Sequence, residues 1–283
     1  MKLFILPVAI VSTGLCLTVQ TAIGLNVTST SDANTLANTI LGSGITLNSA
    51  SFSGAAIATG TFTGGAASGL GIDTGIILTT GNAQIAVGPN NSGSAGVDNG
   101  APGSALLDQL VPGYTSQNAA ILTLNFTTGT SGGLYFNYVF GSEEYNEWVG
   151  TQFNDVFGFF LDGSAVANNI ALIPGTATPV AINNVNNGAN SAYYRDNTDA
   201  HLNLQYDGLT TVLQASVANL AAGSHTIQIA IADSGDGIYD SGVFIQGTTF
   251  STNPTPPGVP DVSSTFALLG VALSGMGLLG RKK

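Results

Sequence analysis

The chain has 283 residues and a formal net charge of −11, and Arg195 is the only one of its five Lys and Arg residues between positions 25 and 258. Nucleic acid is therefore excluded as a partner, because binding along a phosphate backbone is carried by Lys and Arg. Only 7% of residues are charged and 38 are Gly, yet 44% are hydrophobic, which describes a packed domain with many turns rather than a disordered acidic tail.

At the amino terminus Met1 and Lys2 give one positive charge, residues 3–19 are largely apolar, and Ala22 and Gly24 are small residues at the positions a signal peptidase reads. Residues 1–24 thus read as a cleaved signal peptide. An uncleaved anchor is the competing reading, opposed by the interruptions at Pro7, Ser12, Thr13 and Gly14. Cys16, the only cysteine, follows Leu15 rather than a small residue, which argues against a lipoprotein site. The exported chain would carry no thiol, so a disulfide framework, a cysteine nucleophile and a thiolate metal site are all excluded.

Residues 25–252 read as one domain. Ala33, Leu36, Ala37, Ile40 and Leu41 recur at helical spacing, with Ser31 or Asp32 as cap and Gly42 as stop, and predict one short helix over 32–41 that closes a sandwich. From there the period becomes two. Leu122, Leu124 and Phe126 alternate with polar residues, as do Ile227, Ile229 and Ile231; Leu134, Phe136, Tyr138 and Phe140 share one face of a third segment. Further strands are expected at 76–79, 156–161, 170–173, 180–185, 202–206, 211–217 and 243–249. About ten short strands separated by Gly, Asn, Asp and Pro turns predict an all-β fold, an antiparallel β-sandwich of jelly-roll type. Residues 88–103 read as a loop.

Two acidic groups lie in this domain. Glu143, Glu144 and Glu147 follow the strand ending at Phe140, with Asp155 beyond, and Asp233, Asp236 and Asp240 join two strongly patterned strands. Without lysine to offset them, adjacent carboxylates call for a hard cation, and Ca2+ takes oxygens from carboxylates, carbonyls and Asn amides. The expected ligands are Asp233, Asp236 and Asp240, joined by Glu143, Glu144 and Asp155 if the strands ending at Phe140 and Ala232 are neighbours in one sheet. The spacing is not that of an EF-hand, and acids that are merely solvated remain the competing reading. Paired carboxylates can also hydrolyse glycosides, but nothing in the sequence selects one pair. No catalytic residue is assigned.

Trp148 could offer a flat face to a sugar ring, against the blander reading of packing. His225 shares the parity of Ile227 and Ile229 and reads as a half-buried structural histidine; with His201 as the only other one, zinc is not expected. Arg195 is expected to pair with a nearby carboxylate.

The carboxyl end is a proline-rich linker with the motif Val259, Pro260 and Asp261 (residues 253–264), followed by an apolar run over 265–280. As a helix that run spans about 24 Å, a little short of a bilayer core of about 30 Å. Arg281, Lys282 and Lys283 should stop in the cytoplasm by the positive-inside rule, making 265–283 a transmembrane anchor with a basic tail.

Six ordered blocks carry a family resemblance. They are Gly75 to Gly81, Tyr138 to Glu147, Phe153 to Phe159, Asn169 to Gly175, Ile182 to Asn186, and Ala230 to Asp233 with Tyr239 to Ser241. Together they resemble the choice-of-anchor L domain of bacterial surface proteins. The tail is similar to PEP-CTERM sorting signals, which an exosortase recognises and cleaves, with Val259-Pro260-Asp261 where Pro-Glu-Pro is usual. The resemblance implies export through signal peptidase, tethering to the inner membrane during sorting, and release to the cell surface or extracellular matrix of a Gram-negative bacterium, often with exopolysaccharide. It implies no catalytic residue and no ligand. A non-enzymatic structural or adhesive protein is the expected function, with a Ca2+-dependent lectin-like module as the alternative and a glycoside hydrolase as the lesser one.

Overall fold

The computed structural model describes residues 24–257. The signal peptide, the motif Val259, Pro260 and Asp261, the apolar run and the basic tail Arg281, Lys282 and Lys283 lie outside the described residues, Gly24 apart. Among the described residues no helix is long and apolar enough to cross a membrane.

The elements in chain order are β1 (Asn26–Ser29), α1 (Ala33–Ile40), β2 (Ile45–Ser53), β3 (Thr59–Thr63), β4 (Gly75–Thr79), α2 (Ala105–Asp108), β5 (Ser116–Thr128), β6 (Gly132–Ser142), β7 (Val156–Leu161), β8 (Tyr194–Asp196), β9 (Gly208–Thr210), β10 (Leu213–Leu220), β11 (Gly223–Ser234) and β12 (Ser241–Gln246). They form two antiparallel sheets. One runs β1-β3-β4-β12-β6-β9-β8 with β10 also paired to β6; the other runs β2-β5-β11-β7. The unequal division into eight and four strands differs from the eight strands in two Greek keys of a jelly roll.

The period-two segments form the inner layer. Phe136, Tyr138 and Phe140 of β6 face Phe157 and Phe159 of β7, with ring centroids 4.9 Å apart for Phe136–Phe159, 5.0 Å for Tyr138–Phe159 and 4.8 Å for Phe140–Phe157. Each such aromatic pair adds about 0.5–1.5 kcal/mol beyond the apolar area it buries. Leu122, Leu124, Phe126, Ile227, Ile229 and Ile231 complete this core, and α1 lays Leu36, Ala37 and Ile40 into it. Asp32 caps α1, accepting from the Asn34 N–H at 3.2 Å and the Thr35 hydroxyl at 2.5 Å.

Both sheets also bury part of their outer faces. Leu25, Val27, Phe62, Val139, Tyr206, Leu209 and Phe244 pack outside the larger sheet; Leu107, Phe160 and Ala230 pack outside the smaller one. That second layer explains why β4, β7 and β12 are buried at every position.

Three expected strands are absent. Residues 170–173, 180–185 and 202–206 make only isolated bridges, such as Leu172 with Pro179, Val156 with Ala181 and Val87 with Leu204. Most of their apolar side chains are buried as cover for sheet surfaces, which needs no ladder. Arg195 also departs from expectation. Its guanidinium donates to the carbonyls of Thr210 (3.0 Å), Gly69 (2.5 Å) and Leu70 (3.0 Å), tying β8 to a loop rather than to a carboxylate.

The first residues of the proline-rich segment are docked. Thr252 N–H donates to the Ser43 carbonyl, and the Thr255 carbonyl accepts from the side chains of Asn137 (3.1 Å) and Gln214 (2.8 Å).

Candidate functional site

The acids gather at one end of the sandwich, where β6 and β12 of the larger sheet meet β7 and β11 of the smaller one. The strands ending at Phe140 and Ala232 belong to opposite sheets, so the neighbourhood forms across the core and not along one sheet. Its seam is polar. Ser241 Oγ lies 2.8 Å from Ser142 Oγ and donates to Asp155 Oδ2 at 2.7 Å, and the Ser234 N–H donates to Asp155 Oδ1 at 3.0 Å. Asp155 thus uses both oxygens to tie β12 and β11 together.

Asp240 is consumed by loops. It accepts from the N–H groups of Asn82 (3.3 Å) and Val97 (3.1 Å), while its own N–H donates to the Ala95 carbonyl. The segment 88–103 is irregular, as its composition requires, but it closes this end of the fold: Ala95 N–H donates to Glu143 Oε2 at 3.4 Å, and Asn99 Nδ2 donates to the carbonyls of Thr80 (2.6 Å) and Gly81 (3.3 Å).

Three carboxylates are left incomplete. Glu143 and Glu144 are buried, as is Asp233, and Glu143 Oε1, Glu144 Oε2 and Asp233 Oδ1 meet no donor in hydrogen-bonding geometry. Asp233 Oδ2 accepts from Asn118 Nδ2 at 2.9 Å. Burial pushes Glu143 and Glu144 up to about 9, with Asp207 and then Asp240 adding to the rise for Glu143, and Asp155, Asp236 and Glu147 adding to it for Glu144. Burial likewise raises Asp155 and Asp240 to about 7, against the hydrogen bonds each accepts. Asp233 is held well above the carboxylate range by burial and by the nearby Asp155. At neutral pH a large part of this cluster is protonated, which is how so many acids share one region without a base.

The six expected calcium ligands do not form a single cage. Among the described residues no three His, Cys, Asp or Glu side chains stand as a ready metal-binding group. Asp155 and Asp240 are satisfied internally, and Asp236 lies on the loop after β11, accepting from the Ile238 N–H at 3.1 Å.

Trp148 sits on the turn after β6, half-buried, with Phe153 at 5.0 Å edge-on and Tyr239 at 6.2 Å. With Ile238, these rings enclose a pocket of ≈ 130 Å³ into which Glu144 and Asp236 also contribute. A wider polar hollow of ≈ 510 Å³ is lined by residues that include Asn90, Ser92, Glu147 and Asp207. His225 is structural: its ring nitrogens meet Asp162 Oδ2 at 2.7 Å and the Ala221 carbonyl at 2.9 Å.

Sequence reasoning named Trp148 and the acids but missed their partners. Tyr239 flanks Asp240 and Phe153 stands two residues before Asp155, and that proximity was the available signal; Asn118, Ser142 and Ser241 offered none, being ordinary polar residues near strand ends.

A family model described as Choice-of-anchor L domain matches residues 25–251. No curated protein and no solved structure matches the chain.

Proposed function

Because the chain belongs to the choice-of-anchor L domain family, we propose that it is an exported, surface-displayed β-sandwich working as a structural or adhesive component of a bacterial envelope or matrix. The proposal includes the tail: a PEP-CTERM-like signal centred on Val259, Pro260 and Asp261 that tethers the chain to the inner membrane of a Gram-negative cell until an exosortase-like enzyme processes it. Family membership supports the surface role. The burial of Glu143 and Glu144 supports a non-enzymatic reading, since hydrolysis needs two carboxyl groups flanking a bound glycosidic bond. Deleting residues 265–283 is expected to release the domain into the medium or periplasm, as read by immunoblotting of cell fractions. Retention in the membrane equal to that of the full chain would contradict the tether.

The incomplete oxygens of Glu143 and Asp233 favour a further element of this reading, a structural cation such as Ca2+ completed by neutral oxygens from the surrounding loops. Binding to the folded state alone would add about 2.7 kcal/mol at a hundredfold excess over Kd. A rise in melting temperature with Ca2+ that Mg2+ does not match, and that Asp233→Asn reduces, is the expected result. An equal rise with both ions would leave only general screening.

A further inference from the structure

The pocket at Trp148 combines three aromatic rings with carboxyl groups, and it stands in a domain almost without bases. Glu144 is 2% exposed, lines this pocket, and has an Oε2 that no protein group satisfies. Among the described residues no base stands by for the acids of this pocket. Arg195 is engaged by three carbonyls, and among the described residues the only ion pairs are His201 with Asp199 and His225 with Asp162.

Burial holds Glu144 in its protonated form, and the second acid of the pocket, Asp236, stands beside the rings; a carboxylate next to aromatic rings is the arrangement that recognises an organic cation. Aromatic faces attract positive charge through the ring quadrupole, and they do so without hydrating it. A bare metal ion would find too few oxygens here, since Ca2+ takes six to eight. The volume also selects. A pocket of ≈ 130 Å³ lies well below the roughly 300 Å³ at which drug-sized ligand sites begin. It would admit one small head group, with the rest of the ligand lying outside past Ile238, which is 58% exposed. Trp148 Nε1 is a buried donor without an acceptor. A hydroxyl or ether oxygen next to the cationic nitrogen would give it one.

The loop is built to hold this shape. Ile238 N–H is held by Asp236 and Asp240 N–H by Ala95, and Tyr239 between them adopts φ 34°, in the left-handed region. We propose that this pocket binds an organic ammonium group carrying a neighbouring oxygen, the chemistry shared by a choline head group and a protonated amino sugar. The proposal goes beyond the surface role and does not depend on the sorting tail.

Trp148 is the only tryptophan of the chain, so its emission reports on the site directly. Titrating the full chain with choline chloride, with glucosamine, and with sodium chloride at matched ionic strength should give a saturable emission change with at least one of the two ammonium compounds and none with the salt. Choline against glucosamine distinguishes a lipid-type head group from a sugar. The neutral tert-butyl isostere of choline should bind about tenfold more weakly or not at all. Asp236→Asn, which removes a charge and keeps the shape, should weaken ammonium binding about tenfold, and Tyr239→Leu should weaken it while leaving Trp148 as reporter. Equal binding of the neutral isostere, undiminished binding by folded Asp236→Asn, or no saturable response to either ammonium compound would overturn the proposal.

Discussion

Glu143 and Glu144 are consecutive residues whose carboxyl groups are both withdrawn from water, and they behave as acids that resist ionisation. In the unfolded chain such groups titrate near 4. Folding raises Asp155 and Asp240 to about 7 and the two glutamates to about 9. Between those limits the native state binds more protons than the unfolded one, so stability falls as pH rises. The contribution is fully present below about pH 4 and is lost as pH climbs through the folded values, at up to about 1.4 kcal/mol per pH unit for each titrating group. In the presence of a chelator the melting temperature should therefore fall between about pH 5 and about pH 9, and Glu143→Gln should make that fall shallower. A melting temperature that rises over this range would contradict the buried cluster. Gly81 makes a second residue-scale test. A Cβ there would lie 1.8 Å from Asp240 Oδ2, so Gly81→Ala must push aside a carboxylate that holds two loops. The expected loss is about 1–3 kcal/mol in denaturant unfolding.

At the scale of elements, the most legible strands were those with one face in the core and one outside it. Leu122, Leu124 and Phe126 fall in β5, Ile227, Ile229 and Ile231 in β11, and both alternate because one face of each meets the sandwich interior. The edges of β7 match residues 156–161 despite an unbroken apolar run, because turn residues flank it on both sides. The strand β2, ITLNSASFS, was hidden by its Ser and Asn content: it is an edge strand whose side chains stay largely in water. Residues 170–173, 180–185 and 202–206 misled for the opposite reason, since they are apolar enough for strands but serve as cover over sheets. The site was less legible than the fold. Sequence identified the acids, but their burial depends on the loop 88–103 folding back over them, and no local pattern encodes that long-range contact. These roles predict unequal costs. Phe159→Ala removes a ring that packs on Phe136, Tyr138 and Phe157 and should cost about 3–5 kcal/mol, whereas Asp32→Ala removes one helix cap and should cost about 1 kcal/mol. Comparable losses in denaturant titrations would mean that the aromatic ladder is not the organising core.

At the scale of the molecule, a domain of low charge and satisfied loops lies between two segments whose sequences read as export and sorting signals. Leu25 packs into the layer outside the larger sheet, and the chain is pinned at Thr255, in the first residues of the proline-rich linker. Mass spectrometry of both termini of the protein recovered from its native host tests this account most directly. The account predicts an amino terminus at Leu25, a carboxyl terminus lacking Arg281, Lys282 and Lys283, and recovery from the surface or matrix fraction. An intact chain from Met1 to Lys283 in the cytosol would contradict it.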